Sequence, residues 1–183
     1  MENIYLYIVV LLTLLAIGDL IVGVSNDAVN FLNSAIGSKA ISFRNIMILA
    51  SLGIALGALF SSGMMEVARK GIFNPGSFYF EDIIFIFMAV MMTDILLLDF
   101  FNTLGMPTST TVSIVFELLG AAVVMAMIKI FANSGNLTEL STYINTDKAT
   151  QIILGILLSV FIAFTIGALV QWISRALLSY DFL

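Results

Sequence analysis

Five long apolar runs dominate this sequence of 183 residues. Each is near the roughly 20 residues that an α-helix needs to cross a hydrocarbon core about 30 Å thick. The runs cover residues 4–24, 46–65, 83–104, 114–131 and 152–173. Only helices and closed barrels can span lipid, because every backbone polar group must be hydrogen-bonded within the protein. We therefore predict an all-α integral membrane protein with about five transmembrane helices.

The composition excludes a soluble globular domain. Hydrophobic residues make up 61% of the chain and charged residues 10%, whereas soluble domains carry roughly a quarter charged residues. The net charge is −5 with no basic block, so we expect no nucleic-acid partner. The lack of Cys and His disfavours disulfide, redox, zinc and histidine-assisted chemistry. We expect a multi-pass protein of the cell membrane, with residues 1–183 forming one membrane domain, and neither an enzyme nor a cofactor-binding protein.

A polar segment, residues 24–39, follows the first run. In a helix, Asn26, Asn30 and Asn33 would form one polar stripe, with the Asp27 carboxylate at its start. Such a stripe can coordinate an ion or a polar solute. The segment could enter the bilayer as a re-entrant or broken-helix segment if it lined a cavity. The alternative is an interfacial connector in which Asn26 or Asp27 caps a short helix.

A second polar segment, residues 105–113, separates the third and fourth runs. Pro107 is followed by four hydroxyl residues, Thr108, Ser109, Thr110 and Thr111. A helix that begins here would direct free N–H groups and hydroxyls to one point, and helix N-termini favour anions. Broken helices hold the substrate in many transporters, and phosphate fits so many donors better than a cation does. The alternative is a simple N-cap with hydroxyls bonded to their own helix.

Four acidic residues lie inside the apolar runs: Asp19, Asp94, Asp99 and Glu117. Each costs roughly 2.5 to 3.5 kcal/mol at the centre of an inserted helix. Because no Lys or Arg lies deep in these runs, the acids must be neutral, hydrated or matched by a bound cation such as Na⁺ or a proton. Asp99 could instead be a structural acid near an interface. We expect no metal other than a transported cation.

Small residues and turn signals predict further features. Gly53 and Gly57 stand four residues apart in the second run, with Ala50 and Ala58 nearby, and this face should pack closely against another helix. Residues 66–71 predict a short amphipathic piece, residues 74–76 a turn, and residues 132–149 a long polar loop.

Together these motifs resemble the PiT family of inorganic phosphate transporters. The family pattern G-A-N-D-x-x-N, followed by G-S, is matched by Asn26, Asp27, Asn30, Ser34, Gly37, Ser38 and Lys39. The pattern E-x-x-R-K-G-I is matched by Glu66, Arg69, Lys70, Gly71 and Ile72, and L-P-x-S-x-T-H by Met106, Pro107, Ser109 and Thr111. Order and spacing agree over about residues 10–125. Three positions depart from the patterns: Val24 replaces a Gly, Ile54 an acidic residue and Val112 a His.

The resemblance implies a secondary transporter, or half of one, that moves inorganic phosphate by symport with Na⁺ or H⁺. It implies substrate contacts and a coupling-ion site. Because Ile54 replaces the acidic residue of the family pattern, three acids of the apolar runs are candidates for a substitute, auxiliary carboxylate. The substrate-binding positions are Ser109, Thr110, Thr111, Asn26 and Asn30; the coupling-ion positions are Asp27, Asn26 and Asn30; the auxiliary carboxylates are Asp19, Asp94 and Glu117.

The resemblance implies an architecture of two inverted copies of one repeat, and this chain has the signatures of one copy. We therefore expect the N-terminal half of a transporter, completed by a second half on the same or a separate chain, or by a homo-oligomer. Because Ile54 and Val112 replace residues of the patterns, another tetrahedral oxyanion such as sulfate is an alternative substrate. A non-transporting membrane scaffold, in which polar motifs only pack helices, is a further alternative.

Overall fold

The computed structural model describes residues 2–62, 66, 71–133 and 135–179, and these residues are mostly helical. The helices are α1 (Glu2–Ser38), α2 (Phe43–Leu59), α3 (Phe80–Leu104), α4 (Thr110–Asn133), α5 (Leu140–Tyr143) and α6 (Thr146–Leu178), with 3₁₀ turns at Pro75–Ser77 and Leu137–Glu139. Of these, α1, α3, α4 and α6 are long and apolar enough to cross a membrane. The prediction of an all-α, multi-pass membrane protein is confirmed.

The second apolar run forms a shorter helix than expected. Helix α2 has 17 residues, fewer than the roughly 20 of a typical span. The end of this run, residues 63–65, lies outside the described residues, and so do residues 67–70, which carry most of the expected amphipathic piece. The expected turn near residue 75 is confirmed as the Pro75–Ser77 3₁₀ turn.

Helix α1 continues without interruption through the first polar segment. It runs for 37 residues, or about 55 Å at 1.5 Å per residue. The expectation that residues 24–39 form a re-entrant or broken segment, or a cap, is therefore wrong. The segment contains no proline and its only glycine, Gly37, is at its end, so no residue breaks the helix. The break is instead at the second polar segment, where α3 ends and α4 begins.

Helices α1 and α3 pack side by side and run parallel. A Cβ built on Gly18 would lie 3.5 Å from the Ile95 side chain, and one built on Gly23 would lie 3.8 Å from Leu98. The number of residues between the two members of a pair is nearly the same for both pairs. This is expected only if the two helices run parallel. The two glycines let the α1 backbone approach α3 closely, as small residues do in membrane proteins.

Helix α4 returns antiparallel to α3 and completes the core. Ser113, near its start, contacts Asp94 on α3, and Lys129, near its end, forms an ion pair with Asp82 at the start of α3. The most buried apolar side chains of α3 and α4 lie along this hairpin: Ile86, Leu98, Leu118, Ala122, Ala126 and Ile130. The α1–α3–α4 core therefore fixes the position of both polar segments.

The small-residue face of α2 is not packed as the sequence suggested. Within the described part of the chain, nothing lies within 4 Å of a Cβ built on Gly53 or Gly57. The expected close packing is therefore wrong for this face. Small residues permit close approach but supply little attraction by themselves, and here Gly18 and Gly23 of α1 provide the close contact.

We expect the Gly23→Leu substitution to weaken the contact between α1 and α3. The Cβ would already touch Leu98 and lie 3.9 Å from the Thr110 methyl group, so the remaining carbons of leucine must displace a helix. Overpacking of this kind costs about 1–3 kcal/mol. Thermal melting in detergent, followed by circular dichroism, should show a midpoint several degrees lower. Gly57→Leu is the matched control, and equal melting of the two variants would contradict the packing described here.

Two loops close one end of the hairpin by pairing with each other. Phe73 and Ile144 form an antiparallel bridge, and the Asn74 N–H donates to the Tyr143 carbonyl at 2.8 Å. We call residues 71–79 and 137–145 the loop clasp. Four of its hydrogen bonds cross between the two loops: Asn74 N–Tyr143 O, Asn145 N–Ile72 O, Asn74 Nδ2–Thr142 O and Ser77 Oγ–Thr142 O. The polar loop expected at residues 132–149 is thus largely ordered by this pairing.

The chain divides into two compact units, Met1–Asn145 and Thr146–Leu183. In its described part, the second unit is the single helix α6. Its hydroxyls bond to carbonyls of their own helix, as Thr150 does to Thr146 and Thr165 to Phe161. A helix whose polar groups are satisfied internally can face lipid on all sides. The prediction of one membrane domain over residues 1–183 stays a prediction.

Candidate functional site

The second polar segment forms a sharp break between α3 and α4. Gly105 ends α3 with φ at 67°, a left-handed conformation that glycine adopts readily. Pro107 follows two residues later, and a proline disfavours helix at the residue before it. Helix α4 then begins at Thr110. The break therefore places the N-terminus of α4 next to the C-terminal end of α3.

The first turn of α4 presents several hydrogen-bond donors. Ser109 caps the helix, because its carbonyl accepts from Ser113 N at 3.0 Å and its hydroxyl accepts from Val112 N at 3.4 Å. The N–H groups of Thr110 and Thr111 are in the first turn, where the helix offers no carbonyl to them. The side chains of Ser109 and Thr111 are exposed. This end can therefore donate from both backbone and hydroxyl groups.

Helix α1 brings the first polar segment to the same place. The Thr110 hydroxyl lies 3.3 Å from each carboxylate oxygen of Asp27, so its single hydrogen is shared between the two oxygens of that one carboxylate. Asn30 Nδ2 donates to the Thr108 carbonyl at 2.9 Å. The structure thus joins the two polar segments that the sequence analysis identified separately.

Asn26 has a different environment from its neighbours. It is only 2% exposed, and its Nδ2 donates to Asn102 Oδ1 at 2.8 Å, linking α1 to α3. Asn102 Nδ2 reaches the Val22 carbonyl at 3.4 Å. The Asn26 carbonyl oxygen accepts from Asn30 at 3.4 Å. The hydrogen bond to Asn102 therefore fixes the Asn26 side chain, and the Asn26 Oδ1 atom faces Asn30.

Sequence reasoning missed Asn102. The available signal was a lone amide in the last turn of an otherwise apolar run, one helical turn beyond Asp99. Asn33, by contrast, was included in the predicted stripe but is exposed on α1. Of the predicted stripe, only Asn26 and Asn30 therefore take part in the site. Asn26 faces α3, and Asn30 faces the segment between α3 and α4.

The electrostatics of the site follow from the Asp27 carboxylate. Asp27 is half-buried, and in the described part of the chain it forms no ion pair. Lys129 pairs with Asp82, about 29 Å away along α4 from Thr110. The negative charge of Asp27 is therefore met by a hydroxyl donor rather than by a cationic side chain.

The three auxiliary carboxylates come together deeper in the core. Ser113 Oγ lies 2.7 Å from Asp94 Oδ1 and 2.8 Å from Glu117 Oε1. Asp19, on α1, is close enough to interact with both acids. We call Asp19, Asp94, Ser113 and Glu117 the acid cluster. Asp99 does not join it and is exposed on α3.

The acid cluster and the Asp27 site are distinct. Asp19 precedes Asp27 by eight residues, or about 12 Å along α1. On α4, Glu117 lies seven residues beyond Thr110, or about 10 Å along the axis. The same three helices therefore carry two polar sites at different depths.

Comparison with known proteins gives one family. A model of the phosphate transporter family matches residues 23–181. Relatives from three organisms each have the name "putative phosphate permease". The relative from Thermococcus kodakarensis is 29% identical over 148 residues, which are 80% of this chain and 33% of the relative. The relative from Mycobacterium tuberculosis is 26% identical over 164 residues, 85% of this chain and 28% of the relative. The relative from Helicobacter pylori is 32% identical over 104 residues, 56% of this chain and 20% of the relative.

The chain spans about a third of the length of the curated relatives it matches. No solved structure gives a significant match. The match to the family model covers both polar segments and extends through α6.

Proposed function

The chain belongs to the phosphate transporter family, and from this premise we propose that it is a cation-coupled symporter of inorganic phosphate, or half of one. One observation carries the proposal: the Asp27 carboxylate of α1 meets the hydroxyl-rich N-terminus of α4 through Thr110. An acidic group and a set of anion-binding donors are thus held within hydrogen-bond distance. Such a pairing favours a cation and an anion bound side by side.

Phosphate would bind at the first turn of α4. Its oxygens accept hydrogen bonds from the hydroxyls of Ser109, Thr110 and Thr111 and from the first N–H groups of the helix. The partial positive charge at a helix N-terminus adds to the attraction. Asn30, whose Nδ2 already reaches the Thr108 carbonyl, can turn the same donor to the anion.

The coupling ion would bind at Asp27, with the Asn26 and Asn30 side-chain oxygens nearby. Phosphate placed beside an ionised Asp27 meets a repulsion of roughly 4 kcal/mol per unit charge at 4 Å and an effective dielectric constant of 20. A sodium ion or proton on Asp27 removes this repulsion. Phosphate binding therefore requires the cation, which is the thermodynamic basis of symport.

Transport also needs the rest of the molecule. We propose that a second half, on the same or another chain or as a second copy, covers the exposed Ser109 and Thr111 face. Alternate exposure of the site would come from movement of one repeat against the other.

The proposal is tested by equilibrium binding of radiolabelled phosphate to the purified full chain in nanodiscs, followed by uptake into proteoliposomes. We expect saturable binding that strengthens with sodium or with acid, and no displacement by equimolar sulfate. Melting should shift upward with phosphate and the coupling ion together, because a ligand that binds the folded state stabilises it. Equal displacement by sulfate would identify another oxyanion as substrate, and absence of saturable binding under both conditions would overturn the proposal.

A further inference from the structure

We propose that the acid cluster is a proton-binding site, separate from the Asp27 site and independent of whether that site binds phosphate. The cluster consists of Asp19 on α1, Asp94 on α3, and Ser113 and Glu117 on α4. Asp94 is 1% exposed, and Ser113 is also buried. Three acidic side chains thus meet between the helices, with Asp94 buried and Asp19 and Glu117 half-buried.

The Ser113 hydroxyl requires a proton on one of its neighbours. Its oxygen lies 2.7 Å from Asp94 Oδ1 and 2.8 Å from Glu117 Oε1. A hydroxyl has one hydrogen to donate, and an ionised carboxylate can only accept. Both contacts are hydrogen bonds only if one carboxyl carries a hydrogen and donates it to Ser113. At least one proton is therefore held by Asp94 and Glu117 together.

Two further carboxyl oxygens also indicate that the cluster holds a proton. Asp19 Oδ1 and Glu117 Oε2 are buried, and neither atom has a hydrogen-bond partner among the described residues. A buried charge without a partner is very costly, whereas a protonated carboxyl is not charged and can donate. One of these oxygens belongs to Glu117, which contacts Ser113, and the other to Asp19, which interacts with Asp94 and Glu117. Protonation within the cluster therefore answers both requirements.

Among the residues that the structure describes, no basic side chain balances the charge of the acid cluster. The groups that face the cluster are Asp19 from α1, Asp94 from α3 and Glu117 from α4, and all three are acids. The basic side chain on these helices in the described residues is Lys129, which pairs with Asp82 about 18 Å from Glu117 along α4. No group of three or more acids in the described ranges has the geometry to hold a metal ion. The proton is therefore the ligand that fits.

A groove between α3 and α4 gives access to Glu117. It has a volume of about 690 Å³ and is lined mainly by apolar and small residues, with Thr93 and Glu117 as its polar members. Ala89, Gly120 and Ala121 leave the space open. An apolar reagent that reacts with protonated carboxyls can therefore reach Glu117 through this groove.

The test uses dicyclohexylcarbodiimide on the purified full chain in detergent at neutral pH. This apolar carbodiimide takes up the carboxyl proton and adds to the carboxylate oxygen, so the product has the combined mass with no leaving group. We expect one adduct per chain by intact mass, located at Glu117 by peptide mass spectrometry. Its rate should be about tenfold or more above that at exposed Asp99. Raising the pH should remove the difference.

Two variants and a second measurement keep the test decisive. Glu117→Gln retains a donor to Ser113, so it should fold with unchanged melting and lose the adduct. Infrared spectroscopy of the wild type should show the carbonyl band of a protonated carboxyl at neutral pH, weakened in Glu117→Gln and weakened further after Asp94→Asn is added. Absence of both the adduct and the band in folded protein would overturn the proposal. Protection by sodium chloride but not by choline chloride would also overturn it, because the cluster would then hold a metal cation.

Discussion

We expect the Asp27→Asn substitution to lower gradient-driven phosphate uptake by about 100-fold or more. Uptake is measured in proteoliposomes, under conditions in which the wild-type chain transports phosphate, with or without a second half. The amide has the size of the carboxylate and can still accept the Thr110 hydrogen bond, so the helix contact is kept. What it loses is the negative charge that we propose holds the coupling cation. Without that cation, the gradient is no longer linked to phosphate movement.

The matched control for this experiment is Asp99→Asn. Asp99 is an exposed acid in the last part of α3, outside both polar sites. Its replacement removes the same charge and should leave uptake close to wild type. Full gradient-driven uptake by Asp27→Asn would show that the coupling ion binds elsewhere.

The largest expected loss of stability is at Phe73 in the loop clasp. Phe73 is 1% exposed and its ring packs edge-on against Phe78, at 5.6 Å between centroids, and against Phe87 on α3, at 6.5 Å. Removing a fully buried phenylalanine side chain costs about 3–5 kcal/mol. The Phe73→Ala variant should therefore melt about 10 °C lower in detergent.

Phe131→Ala provides the comparison for this variant. Phe131 is near the end of α4 and is 61% exposed, so its removal leaves no cavity within the chain. We expect its melting temperature to stay within a few degrees of wild type. Similar melting of both variants would mean that the loop clasp does not contribute to the stability of the hairpin.

The apolar runs predicted most of the helices because lipid imposes one requirement that composition alone reveals. The runs at residues 83–104 and 114–131 fall inside α3 and α4, and Pro107 marks the break between them. The resemblance to phosphate transporters was confirmed by the family match over residues 23–181. The roles assigned to Asp27, Asn30 and the hydroxyl residues stay predictions, and the structure adds that they are neighbours.

Features that depend on long-range packing could not be predicted in the same way. Polar residues within 24–39 suggested an interruption, but Asn26 is satisfied by Asn102, which lies 76 residues away, so α1 continues as a helix. The loop clasp also joins distant residues, and all four hydrogen bonds between its two loops end at backbone carbonyls, which leave no pattern in the sequence. Local patterns therefore predicted elements and breaks, whereas partners across helices needed the fold.

The continuity of α1 has a mechanical consequence. Asp19 and Asp27 are fixed to one rigid rod, because an unbroken helix transmits tilt along its whole length. If the rod pivots where Gly23 touches α3, a tilt of 10° moves its far end at Ser38, about 22 Å away, by about 4 Å. The same motion displaces Asp19, on the other side of the pivot, in the opposite direction. A tilt of α1 that moves Asp27 away from α4 would therefore also move Asp19 within the acid cluster.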